Sequence, residues 1–205
     1  MVGDVASRVD TSGEAVSAGF AATVATAAAA AGSKVELVTR IGEDDAGDAV
    51  ILALARAGIG HVATLRDAGR RTPVLDSTDD DAGPDLDADA TSTTAESPPG
   101  PMLDRGDVGL ALRYLSDYRV IVVAHAADAD LLDEVVAAAG WSGARLVVIA
   151  SPTIEVAVPN DAIVIAAEPD AEAVAGRVGR YAAAIDGGGE PDTAYAVLTG
   201  ANAES

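Results

Sequence analysis

The sequence predicts an α/β fold, a three-layer α/β/α sandwich around a mostly parallel sheet. Three observations carry this. Apolar, β-branched runs such as 119–124 and 145–150 do not alternate with polar residues, so they suit strands covered on both faces. Those runs take turns with Ala-rich helical segments, the rhythm of a parallel sheet with crossover helices. The helical segments run into glycines (Gly32, Gly58 and Gly140) that can close them.

Each element follows from local pattern. Residues 1–9 read as a short first strand, and 14–32 as a small-residue helix closed by Gly32. Residues 34–41 are β-branched and alternate, so they form a strand. Residues 44–57 form a helix whose Val50, Ile51, Leu54 and Ala57 fall three and four apart, with Gly58 behind them. A strand over 60–65 follows. Residues 76–104 are acidic, proline-rich and of low complexity; they bury too little apolar surface to offset the entropy of ordering, so they read as a loop. The rhythm then resumes: helix 107–115, buried strand 119–124, helix 129–139 ended by Gly140, buried strands 145–150 and 162–166, and helix 171–185. Residues 187–189, three glycines, read as a linker, and 195–198 as a last strand. Trp141 reads as a packing anchor in a helix-to-strand turn. The crossovers are expected to be right-handed.

Composition narrows the function. A chain of 205 residues suits one domain over 1–205 with the acidic loop inside it. The net charge is −20 and Lys34 is the only lysine, so a phosphate-binding face for nucleic acid is not expected. No apolar run is long enough for a membrane span, and no basic-then-apolar leader opens the chain; a cytoplasmic protein is expected. The absence of cysteine excludes disulfides and thiolate metal sites, and two histidines, His61 and His125, make a histidine-rich metal centre implausible. No metal or other cofactor is expected.

Several local patterns resemble functional motifs. Gly42-Glu-Asp-Asp-Ala-Gly47 could cradle phosphate, but it lacks the Gly-Lys-Ser/Thr of a phosphate loop, and a strand-to-helix corner with Asp44 as helix cap explains it better. Residues 85–96 place acids at positions 1, 3, 5 and 12 of a calcium loop, yet Ala90 stands where the turn needs glycine. His125 follows a buried strand at the carboxyl edge, where α/β proteins bind ligands. No Ser–His–Asp arrangement with a nucleophile elbow is present.

Residues 18–48, with Ala18, Gly19, Ala21, Ala25, Gly32 and then Gly42, Asp44 and Gly47, resemble the ribokinase-like (PfkB-type) carbohydrate kinases. Val2-Gly3-Asp4, Ala57-Gly58-Ile59, Arg66-Asp67 and Thr72-Pro73 continue the likeness over residues 1–75; beyond the loop only the fold rhythm is similar. The resemblance implies phosphate transfer from ATP to a sugar or similar alcohol, and substrate-binding positions at Asp10, Gly19, Thr23, Gly42 and Asp44. It also shows departures. Arg8 stands near the family's first-strand Asp, with Asp10 close by, and Thr23 replaces a helix Asn. The family's lid strands find no room in the ten residues 10–19. The family's metal-site Asn-Glu would fall near Ala167, where only acids such as Glu168 and Asp170 remain. Its Gly-Ala-Gly-Asp motif, which supplies the anion hole and the base, is absent; Thr199-Gly-Ala-Asn202 is the nearest string.

The expectation is therefore a truncated ribokinase-like domain without its lid, catalytically silent, that binds a small molecule or a protein. One alternative is a divergent kinase using acids such as Asp44, Glu168 or Asp170 for magnesium. The other is a structural module that pairs through an open sheet edge as a homodimer.

Overall fold

A computed structural model describes residues 1–10, 12–75, 100–115, 117–124, 129–150, 158–166 and 171–199. In chain order the elements are β1 (Ala6–Val9), β2 (Ala15–Ala18), α1 (Phe20–Ala30), β3 (Thr39–Gly42), α2 (Asp45–Arg56), β4 (Thr64–Asp67) and β5 (Val74–Leu75). Then come α3 (Arg105–Tyr114), β6 (Val120–Ala124), α4 (Ala129–Ser142), β7 (Arg145–Ala150), β8 (Ile163–Ala166), α5 (Ala171–Asp186) and α6 (Pro191–Thr199).

β3 pairs parallel with β4, and β6, β7 and β8 form a second parallel group. Residues 1–3 join the two. Val2 bridges parallel to both Val38 and Val123, donates its N–H to Val122 O at 2.9 Å, and accepts the Ala124 N–H at 2.8 Å. The lane order is therefore β4, β3, residues 1–3, β6, β7, β8. Such a sheet is covered on both faces, as the unbroken apolar runs require.

Side chains alternate between the faces. Val38, Ile121, Val123, Leu146 and Val148 meet Val108 and Leu112 of α3 and Leu132 and Val135 of α4. Val122, Val147 and Ile149 point the other way, onto Val24 of α1 and Val178 and Tyr181 of α5. Leu37 and Ile41 share that second face with Val50 and Leu54 of α2. Each fully buried side chain of this size contributes about 1.5–3 kcal/mol. The α1–α5 contact is very close: a Cβ on Gly179 would stand 2.6 Å from Val24 O and 2.6 Å from Ala27 Cβ. Alanine-rich α1 and Gly179 thus let two backbones approach where larger residues could not.

Several expectations are corrected. Residues 15–18 are a strand, not the start of a helix; they pair antiparallel with β1, and β5 adds to β1 in parallel. The connection expected to be too short for extra strands thus supplies one, β2, to a small three-stranded sheet of order β2-β1-β5. α4 runs through Gly140 and stops at Gly143, whose φ of +71 suits glycine. Trp141 is not buried as a packing anchor; it is 87% exposed on the last turn of α4. Among the described residues β8 is an edge strand, with Val164 exposed, rather than a buried one. Residues 195–198 belong to α6, so 187–189 lead into a helix. The loop segment 76–99 lies outside the described residues, whereas 100–104 pack onto the fold with Leu103 buried.

Candidate functional site

The carboxyl ends of residues 1–3, β3 and β6, with the start of α1, form the edge at which open α/β sheets take ligands. Gly3 fits there because there is no room for more: a Cβ would lie 2.8 Å from Ala124 Cβ and 3.0 Å from Ala21 Cβ. Gly19 caps α1 with φ +93, a conformation glycine adopts without strain. Thr23, one turn on, donates its hydroxyl to Gly19 O at 3.1 Å, so that hydroxyl is spent on the helix's own backbone.

Gly42 and Asp44 belong to a tight knot that also takes in Gly47 and Thr72. One Asp44 oxygen accepts the Gly47 N–H at 2.8 Å, which caps α2. Its other oxygen accepts the Thr72 N–H at 2.9 Å. The Thr72 hydroxyl in turn accepts the Gly42 N–H at 2.9 Å. Burial raises the Asp44 pKa, but the hydrogen bonds from Gly47 and Thr72 outweigh it, and the carboxyl is held below its ordinary value. A Cβ at Gly42 would stand 2.6 Å from Arg70 O and 2.8 Å from Thr72 N. Sequence reading placed Thr72 only in the family's order and missed its role, because its partners stand 28 and 30 residues away.

Asp10 sits apart from both groups, at the turn between β1 and β2. One of its oxygens accepts the Ser12 hydroxyl at 2.6 Å, the Ser12 N–H at 2.9 Å and the Glu14 N–H at 3.0 Å. The Ser12 hydroxyl first, and then the backbone donors, hold its pKa below the usual carboxylate value. The structure therefore groups Gly42 with Asp44 and Gly19 with Thr23. It uses Asp10 to close a hairpin. His125, Glu168, Asp170 and the acidic stretch 85–96 lie outside the described residues. Among the described residues no cluster of His, Asp and Glu could hold a metal ion, and no helix is long and apolar enough to cross a membrane.

The architecture is shared with sugar kinases. A fructokinase from Xylella fastidiosa solved with bound ATP superposes with a TM-score of 0.54 and 17% identity, over 97% of this chain and 64% of that one. The fold is ribokinase-like. A PfkB protein from Polaromonas sp. JS666 gives a TM-score of 0.52 at 17% identity, over 97% of this chain and 67% of that one. The protein solved as Sa239 gives 0.54 at 16% identity, over 80% and 59%. The chain thus spans about three fifths to two thirds of the length of these structures. No family model and no curated protein matches the sequence.

Proposed function

We propose that this ribokinase-like chain binds a small molecule at the carboxyl edge of its central sheet and does not transfer phosphate. The observation that carries the reading is the state of the polar side chains there. Asp44 has both oxygens engaged by Gly47 and Thr72, and the Thr23 hydroxyl is turned onto Gly19. A general base needs a free carboxylate within reach of the substrate hydroxyl. A magnesium-linked kinase needs acids open to the ion. Asp44 and Thr23 are instead committed to the backbone of the fold itself. In this reading Gly19 and Gly42 shape the rim through their backbones, Asp44 and Thr23 hold it rigid, and Asp10 steadies the β1–β2 hairpin beside it. The site would serve a cytoplasmic protein with no cofactor.

Titration calorimetry with sugars and nucleosides, each with and without ATP and magnesium, tests this. Heat from a sugar or nucleoside alone, unchanged by ATP, supports the reading. Binding that requires ATP favours the divergent kinase.

A homodimer is a second reading, favoured by exposed apolar side chains on strand surfaces: Val9, Val74 and Leu75 on the small sheet and Val164 on the β8 edge. Such surfaces invite pairing. Light scattering behind size exclusion decides it, since a monomer mass at high concentration removes this reading.

A further inference from the structure

Residues 70–73 hold the rim together and are themselves held by a distant stretch of chain. Thr72 accepts the Gly42 N–H on its hydroxyl at 2.9 Å and donates its own N–H to Asp44 at 2.9 Å. Its neighbours grip residues 100–104. The Arg70 guanidinium donates to Gly100 O at 3.1 Å, and a Cβ on Gly100 would stand 2.6 Å from Pro73 Cγ.

Residues 100–104 are fixed at their far end as well. Leu103 is buried in the core that holds Val38, Val108 and Leu112. Asp104 caps α3: it accepts the Asp107 N–H at 2.9 Å, and its own N–H donates to Asp107 at 3.0 Å. The Asp107 carboxylate also accepts from the Arg40 guanidinium at 2.8 Å. Arg40 stands two residues before Gly42 on β3. The contacts thus close a ring, from Gly42 through Thr72 and Arg70 to Gly100, on to Asp107 and Arg40, and back along β3.

The cross-links of this ring join residues 28 to 67 positions apart. None is local, so each depends on loop closure that the others supply. A single exposed link such as Arg70 to Gly100 is weak alone. Links of this kind form and break as one cooperative unit.

We propose that residues 100–104 are a strap that assembles the rim. With the strap seated, Thr72 holds Gly42 and Asp44; when the strap lifts, that knot opens with it. Arg70 and Leu103 are positioning residues for a rim to which neither belongs. The inference rests on the ligand reading only for its consequence, that a molecule bound at the rim tightens the strap. The opening itself is a property of the ligand-free protein.

The test is amide hydrogen exchange of the full chain at increasing low urea, read at Gly42, Thr72 and Asp107. Ala124, whose N–H donates to Val2 O in the central sheet, is the reference. The three ring amides are expected to share one opening constant, about tenfold or more above that of Ala124. Arg70 is exposed, so Arg70→Ala should fold; it is expected to raise all three together by about fivefold. Leu103→Ala should raise them by about thirtyfold or more, and Leu103→Met should restore most of the loss. The proposal is overturned if Gly42 and Thr72 keep pace with Ala124 while Asp107 alone responds. A sugar that binds should slow Asp107 as much as Gly42; slowing of Gly42 alone would also overturn the strap. Failure of every sugar to bind would sink the ligand reading alone, with the exchange result still deciding the strap.

Discussion

Asp44 accepts the backbone N–H of Thr72 at 2.9 Å, and so ties the start of α2 to a segment 28 residues further on. The same carboxylate caps the helix through Gly47. Replacing it therefore removes a cap and strands a buried donor. Asp44→Ala should cost about 2 kcal/mol, the sum of a typical cap and an unmet N–H. Asp44→Asn keeps the acceptor oxygen and should cost less. Urea unfolding of the three proteins checks the ranking.

The Asp44 carboxyl is held below the ordinary carboxylate value, so its contribution has a definite pH window. A group depressed in the folded state stabilises fully above its unfolded value. That stabilisation fades as pH falls from about 4 through the lower folded value. The stability gap between wild type and Asp44→Asn should be constant near neutrality and shrink below about pH 4. A gap that widens toward acid would contradict the hydrogen-bonded carboxylate.

Gly179 should tolerate no side chain. Its added Cβ would press on the backbone oxygen of Val24 and on Ala27. Alanine raises helix propensity by nearly 1 kcal/mol, but overpacking at a helix crossing costs about 1–3 kcal/mol, so Gly179→Ala should destabilise. Thermal melts check it, with Gly176→Ala on the same helix as control, since the nearest atom a Cβ meets there is the far end of Arg180 at 3.6 Å.

Tyr181 is fully buried, and its hydroxyl has no hydrogen-bond partner among the described residues. Burial, slightly opposed by Arg145, raises its pKa. An unmet buried hydroxyl costs about 1–3 kcal/mol. Tyr181→Phe should therefore be neutral or stabilising, against the usual direction for a core substitution. A loss of more than about 1 kcal/mol on chemical denaturation would show that the hydroxyl has a partner.

The sheet and most helices were legible because burial on both faces writes unbroken apolar runs, as at 120–124 and 145–149. Failures fell where local composition competes with distant pairing. Residues 15–18, Ala-Val-Ser-Ala, look helical, yet β1 recruits them through four register pairs. The Asp10-Thr-Ser-Gly13 turn was the available signal, since Asp followed by Ser and Gly favours a side-chain-closed turn. Residues 195–198 are a short apolar run that fits either state; Pro191, at the first helical position, marks the helix. The site was half legible. Glycine at a strand-to-helix corner and Asp44 as cap follow from sequence. The Thr72 link does not, because no local pattern encodes a contact across 28 residues.

The central claim is that this fold binds without transferring phosphate, and release of ADP from ATP and magnesium across a panel of sugars and nucleosides tests it most directly. The expected rate equals the protein-free background for every alcohol. A saturable rate that depends on one of them, and that tracks the protein through purification, would contradict it.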